Sequence, residues 1–248
     1  MNKINSIENL RKFLNDTHGK LRILEHQIPL EKQMEYFFYT SSMLNLLPED
    51  AMMDLEQFAT VLLNPTSSLA DKQKILSALA ISKEARAYRI LQEYLQAPDS
   101  ELTDWAQLAL MESHAMLESE FTNEKQVFIA TGLGGKGKML RYYVLLLSSS
   151  GNQFLDYQLQ VIEKELTYAL KQNEGEIEEF TIKENYIELS ILLPIQTNIG
   201  RLIENVVSEC NQYGHFIAKT FTITNVKKLT ENEIAKIIKE YEDNRTGS

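Results

Sequence analysis

The chain has 248 residues, 25 Lys+Arg against 35 Asp+Glu for a formal net charge of -10, and 44% hydrophobic residues. With 10 Gly, 5 Pro and 1 Cys, the composition excludes a disordered, collagen-like or disulfide-stapled chain, and the length suits one large or two modest domains. The acidic balance argues against a general polyanion binder, because phosphate binding rests on clustered Lys and Arg, but it leaves room for a local basic patch.

Cys210 has no partner for an intrachain disulfide, which points to a reducing compartment. The opening MNKINSIENLRKFLN mixes apolar and polar residues and has no signal-peptide core. The longest apolar run, Tyr142 to Leu147, is about a third of the roughly 20 residues that a membrane helix needs. Neither end carries a lipidation pattern. A cytoplasmic protein with no membrane partner is the expectation.

Up to about residue 120 the apolar spacing is helical. Ser6 can cap a short helix holding Ile7, Leu10, Phe13 and Leu14. Pro29 and Pro48 stand where a first helical turn tolerates a missing N–H. The run 29–46 offers Met34, Phe37, Phe38 and Met43 as an apolar face, and 48–63 offers Met52, Leu55, Phe58, Val61 and Leu62. Helices over 69–81, 83–96 and 100–118 follow, with Ser100 as a candidate start for the last. The connections are short, which favours antiparallel neighbours.

Residues 69–117, LADKQKILSALAISKEARAYRILQEYLQAPDSELTDWAQLALMESHAML, resemble HEAT-type repeats. The resemblance rests on a Pro98-Asp99-Ser100 turn between helices and on Ala78, Ala80, Ala85, Ala87, Ala106 and Ala109, which would let helices pack closely. It implies a protein-binding surface rather than a reaction. A bundle that only holds the other half is the alternative.

After about residue 124 the period shortens. Residues 126–131 and 140–148 read as strands, 154–171 as an amphipathic helix, and 177–183 and 186–193 as alternating strands. A second helix spans 199–212, a strand 216–224, and a last helix 229–241, with Thr230 and Glu233 in capping-box positions. From Leu140 the order is strand, helix, strand, strand, helix, strand, the ferredoxin-like βαββαβ plan. The strand 126–131 is extra; the strand from Leu140 already has two neighbours, so a hairpin with it would displace one, and the sheet edge is one option for a placement that the sequence leaves open.

The segment Gly132-Leu133-Gly134-Gly135-Lys136-Gly137-Lys138-Met139 fits the first seven positions of the phosphate-binding G-x-x-x-x-G-K loop, in which glycine lets backbone N–H groups converge on phosphate oxygens. Met139 replaces the Ser or Thr that would hold magnesium, and the following LRYYV reads as strand rather than helix. A hairpin tip is therefore the simpler reading. Residues 125–155 nonetheless carry Lys125, Lys136, Lys138 and Arg141 with no acid, and 210–230 carry Lys219, Lys227 and Lys228 after Cys210 with no acid. If the two strands involved are neighbours, these stretches could converge. The candidate anion-binding residues are Gly132, Gly134, Gly135, Lys136, Gly137, Lys138, Arg141, Lys219 and Lys227. An RNA-recognition module would need a basic, aromatic third strand, and Asn185-Tyr186-Ile187-Glu188-Leu189 departs from it.

His114 and Glu118 lie four apart on one helix face, but no second motif completes a metal site, and a solvated helical His is the expectation. Cys210, in an apolar-faced helix, reads as a buried small residue. The run Glu174–Glu179 spans a helix end and a strand start and reads as a solvated turn. No catalytic motif stands out, and neither a metal nor a cofactor is expected. The reading is an α+β chain of two domains, a HEAT-like helical array over 1–122 and a ferredoxin-like domain over 123–242, with a flexible tail at 243–248. Its expected role is a non-catalytic scaffold with a protein partner. The alternative is binding of an anion, nucleotide or RNA through the loop 132–138 and adjacent basic residues, and self-association through the sheet is a further option.

Overall fold

The computed structural model describes residues 21–44, 54–122 and 126–246. The expected helix after Ser6, the ends of the 29–46 and 48–63 helices that fall on 45–53, Lys125 and the last two residues lie outside the described residues. The described part divides into two compact units, one within Phe13–Ile129 and one from Ala130 onward.

The first unit is helical, with α1 (Leu30–Leu44), α2 (Leu55–Leu63), α3 (Leu69–Ile81), α4 (Ala85–Tyr94) and α5 (Thr103–Thr122). Local chemistry sets the starts. Asp54 accepts from the Gln57 N–H at 3.0 Å to cap α2, and Ser68 accepts from the Asp71 N–H at 3.1 Å to cap α3. From Ile75 to Ile81, α3 is buried on every side, because α1, α2, α4 and α5 all pack against it. Contacts between α1 and α5 close the group around α3. Asp99, in the expected turn, has a structural task. Its carboxylate accepts from the buried Lys72 Nζ at 2.7 Å and from the Tyr94 hydroxyl at 2.6 Å, which ties the turn to α3 and α4.

The α1 face departs from expectation. Gln33, Tyr36 and Thr40 are buried, whereas Met34 and Phe38 are 72% and 79% exposed. Tyr36 packs edge-on to Trp105 with ring centroids 5.1 Å apart and donates to the Glu112 carboxylate at 2.5 Å. Gln33 donates to the Ile28 carbonyl at 2.7 Å. A partner for each polar group made this the inward face.

The strand expected at 126–131 belongs to this unit as well. Its core β2 (Val127–Ile129) pairs in parallel with β1 (Leu21–Ile23) and stays out of the main sheet. The boundary between units thus falls after Ile129. A three-residue partner is too short for its apolar–polar alternation to be read as a strand in the sequence.

The second unit follows the βαββαβ plan, with β4 (Met139–Ser148), α6 (Asp156–Gln172), β5 (Glu176–Ile182), β6 (Tyr186–Pro194), α7 (Ile199–Asn211) and β7 (Ile217–Thr224). The strands are antiparallel in the order β7-β4-β6-β5. Short β3 (Gly135–Lys136) pairs with Met139 and Leu140, filling the stretch of the β4 edge that β7, joined from Tyr143 onward, leaves open.

The run Tyr143–Leu147 is apolar without alternation because both faces of β4 are covered. Val144 and Leu146 face the core built with α6 and α7, alongside Ile162, Leu166, Ile203 and Val206. Tyr143, Leu145 and Leu147 face a second core with Ile234, Ile237 and Tyr241 of the last helix, α8 (Glu231–Thr246). Thr230 and Glu233 form the expected capping box, with the Thr230 N–H donating to Glu233 at 2.9 Å. The helix runs to Thr246, through most of the stretch expected as tail.

Candidate anion and nucleic-acid interface

The loop of interest hangs from a seam between two chain segments. The Leu133 N–H donates to the Asn225 carbonyl at 3.1 Å, and a Cβ on Gly132 would stand 1.8 Å from the Val226 carbonyl oxygen. Only glycine permits this approach of the two backbones. The Gly134 N–H donates to the Thr131 carbonyl at 3.1 Å, and the Gly134 carbonyl accepts from the Arg141 N–H at 3.0 Å. Residues Thr131 to Gly135 are buried, and only Lys136, Gly137 and Lys138 reach solvent. Gly137 takes a positive φ of 59° with open space around it, as the tip of the two-residue β3–β4 hairpin requires.

This is a correction to the phosphate-loop pattern. Gly132 and Gly134 are spent on the seam and on the turn, and Gly135 pairs with Leu140. Their N–H groups do not converge on a ligand position. Arg141 is also committed. Its Nη1 donates to the Leu133 carbonyl at 2.8 Å and its Nη2 to Glu178 at 2.8 Å, with Nε on the same carboxylate. It fastens the loop to β5, and its guanidinium holds the Glu178 carboxyl below the usual carboxylate range.

Lys136, Lys138, Lys227 and Lys228 remain exposed. The seam brings them to one end of the sheet. Lys136 pairs with Glu176 at 3.0 Å, Lys227 with Glu233 at 2.6 Å and Lys228 with Glu179 at 2.5 Å. Hydrogen bonding to Glu176 raises the Lys136 pKa, and Lys227 with Thr230 lowers the Glu233 carboxyl to about 2. Among the described residues no carboxylate pairs with Lys138. The acidic run 174–179 is thus no isolated turn. From Glu176 on it is β5, and its carboxylates neutralise the basic stretches. Charge complementarity between the two was the signal available in the sequence.

Lys219 does not join this group. The β4–β7 register places it beside Leu147 and Ser148, roughly 20 Å from Arg141 at about 3.3 Å per residue along β4. The two basic stretches lie on neighbouring strands, as expected, but only Lys227 and Lys228 of the second reach the loop; Lys219 lies at the other end of the strand pair.

His114 is half-buried rather than solvated. Its Nδ1 is buried, has no hydrogen-bond partner among the described residues and lies 3.9 Å from Glu118, whose carboxylate accepts from Arg22 at 2.7 and 2.9 Å. Burial, with Arg22 nearby, lowers its pKa. Among the described residues no group of three or more His, Cys, Asp or Glu could hold a metal ion. Cys210 is fully buried, and burial pushes its thiol up to about 12. No helix among the described residues is long and apolar enough to cross a membrane.

No family model and no characterised protein sequence matches the chain. Among solved structures it is similar to a protein described as a transposase from Deinococcus radiodurans, 14% identical, over 44% of this chain and 93% of that one with a TM-score of 0.34. It is also similar to a REP-associated tyrosine transposase bound to a REP hairpin, 10% identical, over 40% of this chain and 62% of that one with a TM-score of 0.32. The match therefore spans less than two thirds of the second protein. At these scores the likeness transfers no activity. The expectations of a non-catalytic, HEAT-like scaffold for a protein partner, and of a chain that is not an enzyme, find no support in these comparisons and are not carried further.

Proposed function

We propose that the α+β unit binds the phosphate backbone of a nucleic acid at the end of the sheet where the β3–β4 hairpin meets the segment after β7. The observation that carries this reading is the seam from Gly132 to Val226, which gathers Lys136, Lys138, Lys227 and Lys228 at one exposed end. Their carboxylate partners are no barrier. Exposed ion pairs are worth about 0–1 kcal/mol each, so a strand bearing successive phosphates can displace them and release counterions. Arg141 is not a ligand in this reading; it holds the loop in place. Sequence preference is not expected from lysines, which act as point charges on the backbone. The unpaired Cys210 supports a reducing, cytoplasmic setting for this activity.

The test is fluorescence anisotropy with labelled single-stranded DNA, single-stranded RNA and a DNA hairpin, for wild type and for Lys136→Ala/Lys138→Ala. Four phosphate contacts on a single strand give a slope of log K against log salt near about -3, and removing two of them gives about half that. Absence of binding at low salt, or a double mutant that binds as wild type does, would overturn the proposal.

A further inference from the structure

A second location in the same unit has the makings of a small-ligand site, and it stands apart from the nucleic-acid reading. A cleft of about 450 Å³ opens between α7 and β7, within the size range of sites for small organic ligands. Val207 and Phe221 form apolar wall, and Glu204, Ser208, Asn211, Gln212, His215 and Lys219 line the rest. Among the described residues the side chains of Ser208, His215 and Lys219 have no hydrogen-bond or ion-pair partner. Lys219 differs in this from Lys136, Lys227 and Lys228, each of which meets a carboxylate.

The rim is built rather than loose. His215 adopts a left-handed backbone with φ 45°, uncommon for a non-glycine residue although histidine takes it more readily than most. Its N–H donates to the Asn211 carbonyl at 3.1 Å, and its carbonyl accepts from the Ser149 hydroxyl at 2.6 Å. Asn211 in turn is pinned by its side chain to both the N–H and the carbonyl of Ile217, each at 2.9 Å. These bonds fix the imidazole-bearing residue beside Lys219 at the mouth of an apolar recess.

We infer that this cleft binds a small anion carried on an apolar body, a phosphate ester or carboxylate attached to an aromatic or aliphatic group. Lys219 meets the charge, Ser208 and His215 supply the remaining donors, and the body lies against Val207 and Phe221. Glu204 excludes a second negative group and accepts from a hydroxyl on the ligand.

The experiment uses the full chain with phenyl phosphate, benzoate and inorganic phosphate as probes, followed by titration calorimetry and ligand-observed NMR. Phenyl phosphate or benzoate binds wild type. Lys219→Ala weakens that binding by about tenfold or more, the worth of a charge-assisted hydrogen bond, and Lys219→Arg restores much of it. Ser208→Trp, which fills the cleft from an exposed helix position, abolishes binding while thermal unfolding stays cooperative. Lys136→Ala/Lys138→Ala binds the small probes as wild type does, so failure here and failure of the nucleic-acid reading are separable. Preference for phenyl phosphate identifies a phosphate ligand, and preference for benzoate a carboxylate; both support the inference. It is overturned if neither organic probe binds wild type, if Lys219→Ala binds equally well, or if inorganic phosphate binds as tightly as phenyl phosphate.

Discussion

Gly132→Ala should separate the hairpin from the segment after β7 at a cost that the geometry sets. The new Cβ would stand 1.8 Å from the Val226 carbonyl oxygen and 2.8 Å from its carbon. Both obstacles are backbone, so no rotamer relieves them, and the two segments must part by more than about 1 Å in an interior packed without slack. Overpacking of this kind costs about 1–3 kcal/mol. The Leu133–Asn225 hydrogen bond, at 3.1 Å on the same seam, is lost with it for about 1 kcal/mol more. Some 2–4 kcal/mol lowers the melting temperature by roughly 5–15 °C for a chain of this size. The control is Gly137→Ala, whose Cβ would meet nothing within 4 Å. There the only penalty is the positive φ of 59°, about 1–2 kcal/mol. Circular dichroism melts of both variants give stability, and anisotropy with single-stranded DNA gives binding, which Gly132→Ala should weaken because Lys136 and Lys138 hang from the seam. A Gly132→Ala protein as stable as Gly137→Ala would refute the account of the loop.

Asp99→Asn leaves Lys72, 3% exposed, without its countercharge and should cost about 2 kcal/mol in urea, less than for a fully buried pair because Asp99 itself is partly exposed. Hydrogen bonds from Lys72 and then Tyr94 hold the Asp99 carboxyl below its usual range, so its contribution is present above the unfolded carboxylate pKa and is lost as pH falls through the folded value; the variant should flatten that acid limb. Glu112 behaves oppositely. Burial raises its pKa although Tyr36 lowers it, so its contribution is full below the unfolded pKa and lost as pH rises through the folded one. Glu112→Gln, which keeps an acceptor for Tyr36, should gain stability over wild type at neutral pH and none in acid, as read by urea midpoints across pH. Cys210 should react with a thiol reagent only at the rate of unfolding, and prompt stoichiometric labelling of the folded protein would contradict its burial.

Periodicity carried most of the second unit. Ile187, Leu189, Ile191 and Leu193 alternate and share one core, and the Thr230–Glu233 box marks the start of α8. Such signals are local, because side chains of one element meet one environment. The α1 face failed for the same reason in reverse. Met34 and Phe38 have the apolar spacing, yet Tyr36 with Glu112 and Gln33 with Ile28 supply polar partners that sit far away in the chain or in its backbone. A uniformly apolar β4 already implied cover on both faces, although the identity of the covering helix did not follow from it.

The candidate sites divide along a similar line. Residue types at Lys136, Lys138, Lys219 and Lys227, the turn glycines and the element order of the α+β unit are properties of the chain itself. Pairing is not. That Glu176, Glu178 and Glu179 answer Lys136, Arg141 and Lys228 depends on β5, β6 and β4 lying side by side in register. The separation of Lys219 from the loop depends on the antiparallel direction of β7, which sends its first residues to the far end of β4. Even the reason for Gly132 is a backbone 94 positions further on, at Val226. Local preference sets which elements form, because it is written in neighbouring residues; charge balance and cavities arise only where distant segments meet, and the sequence does not state those distances.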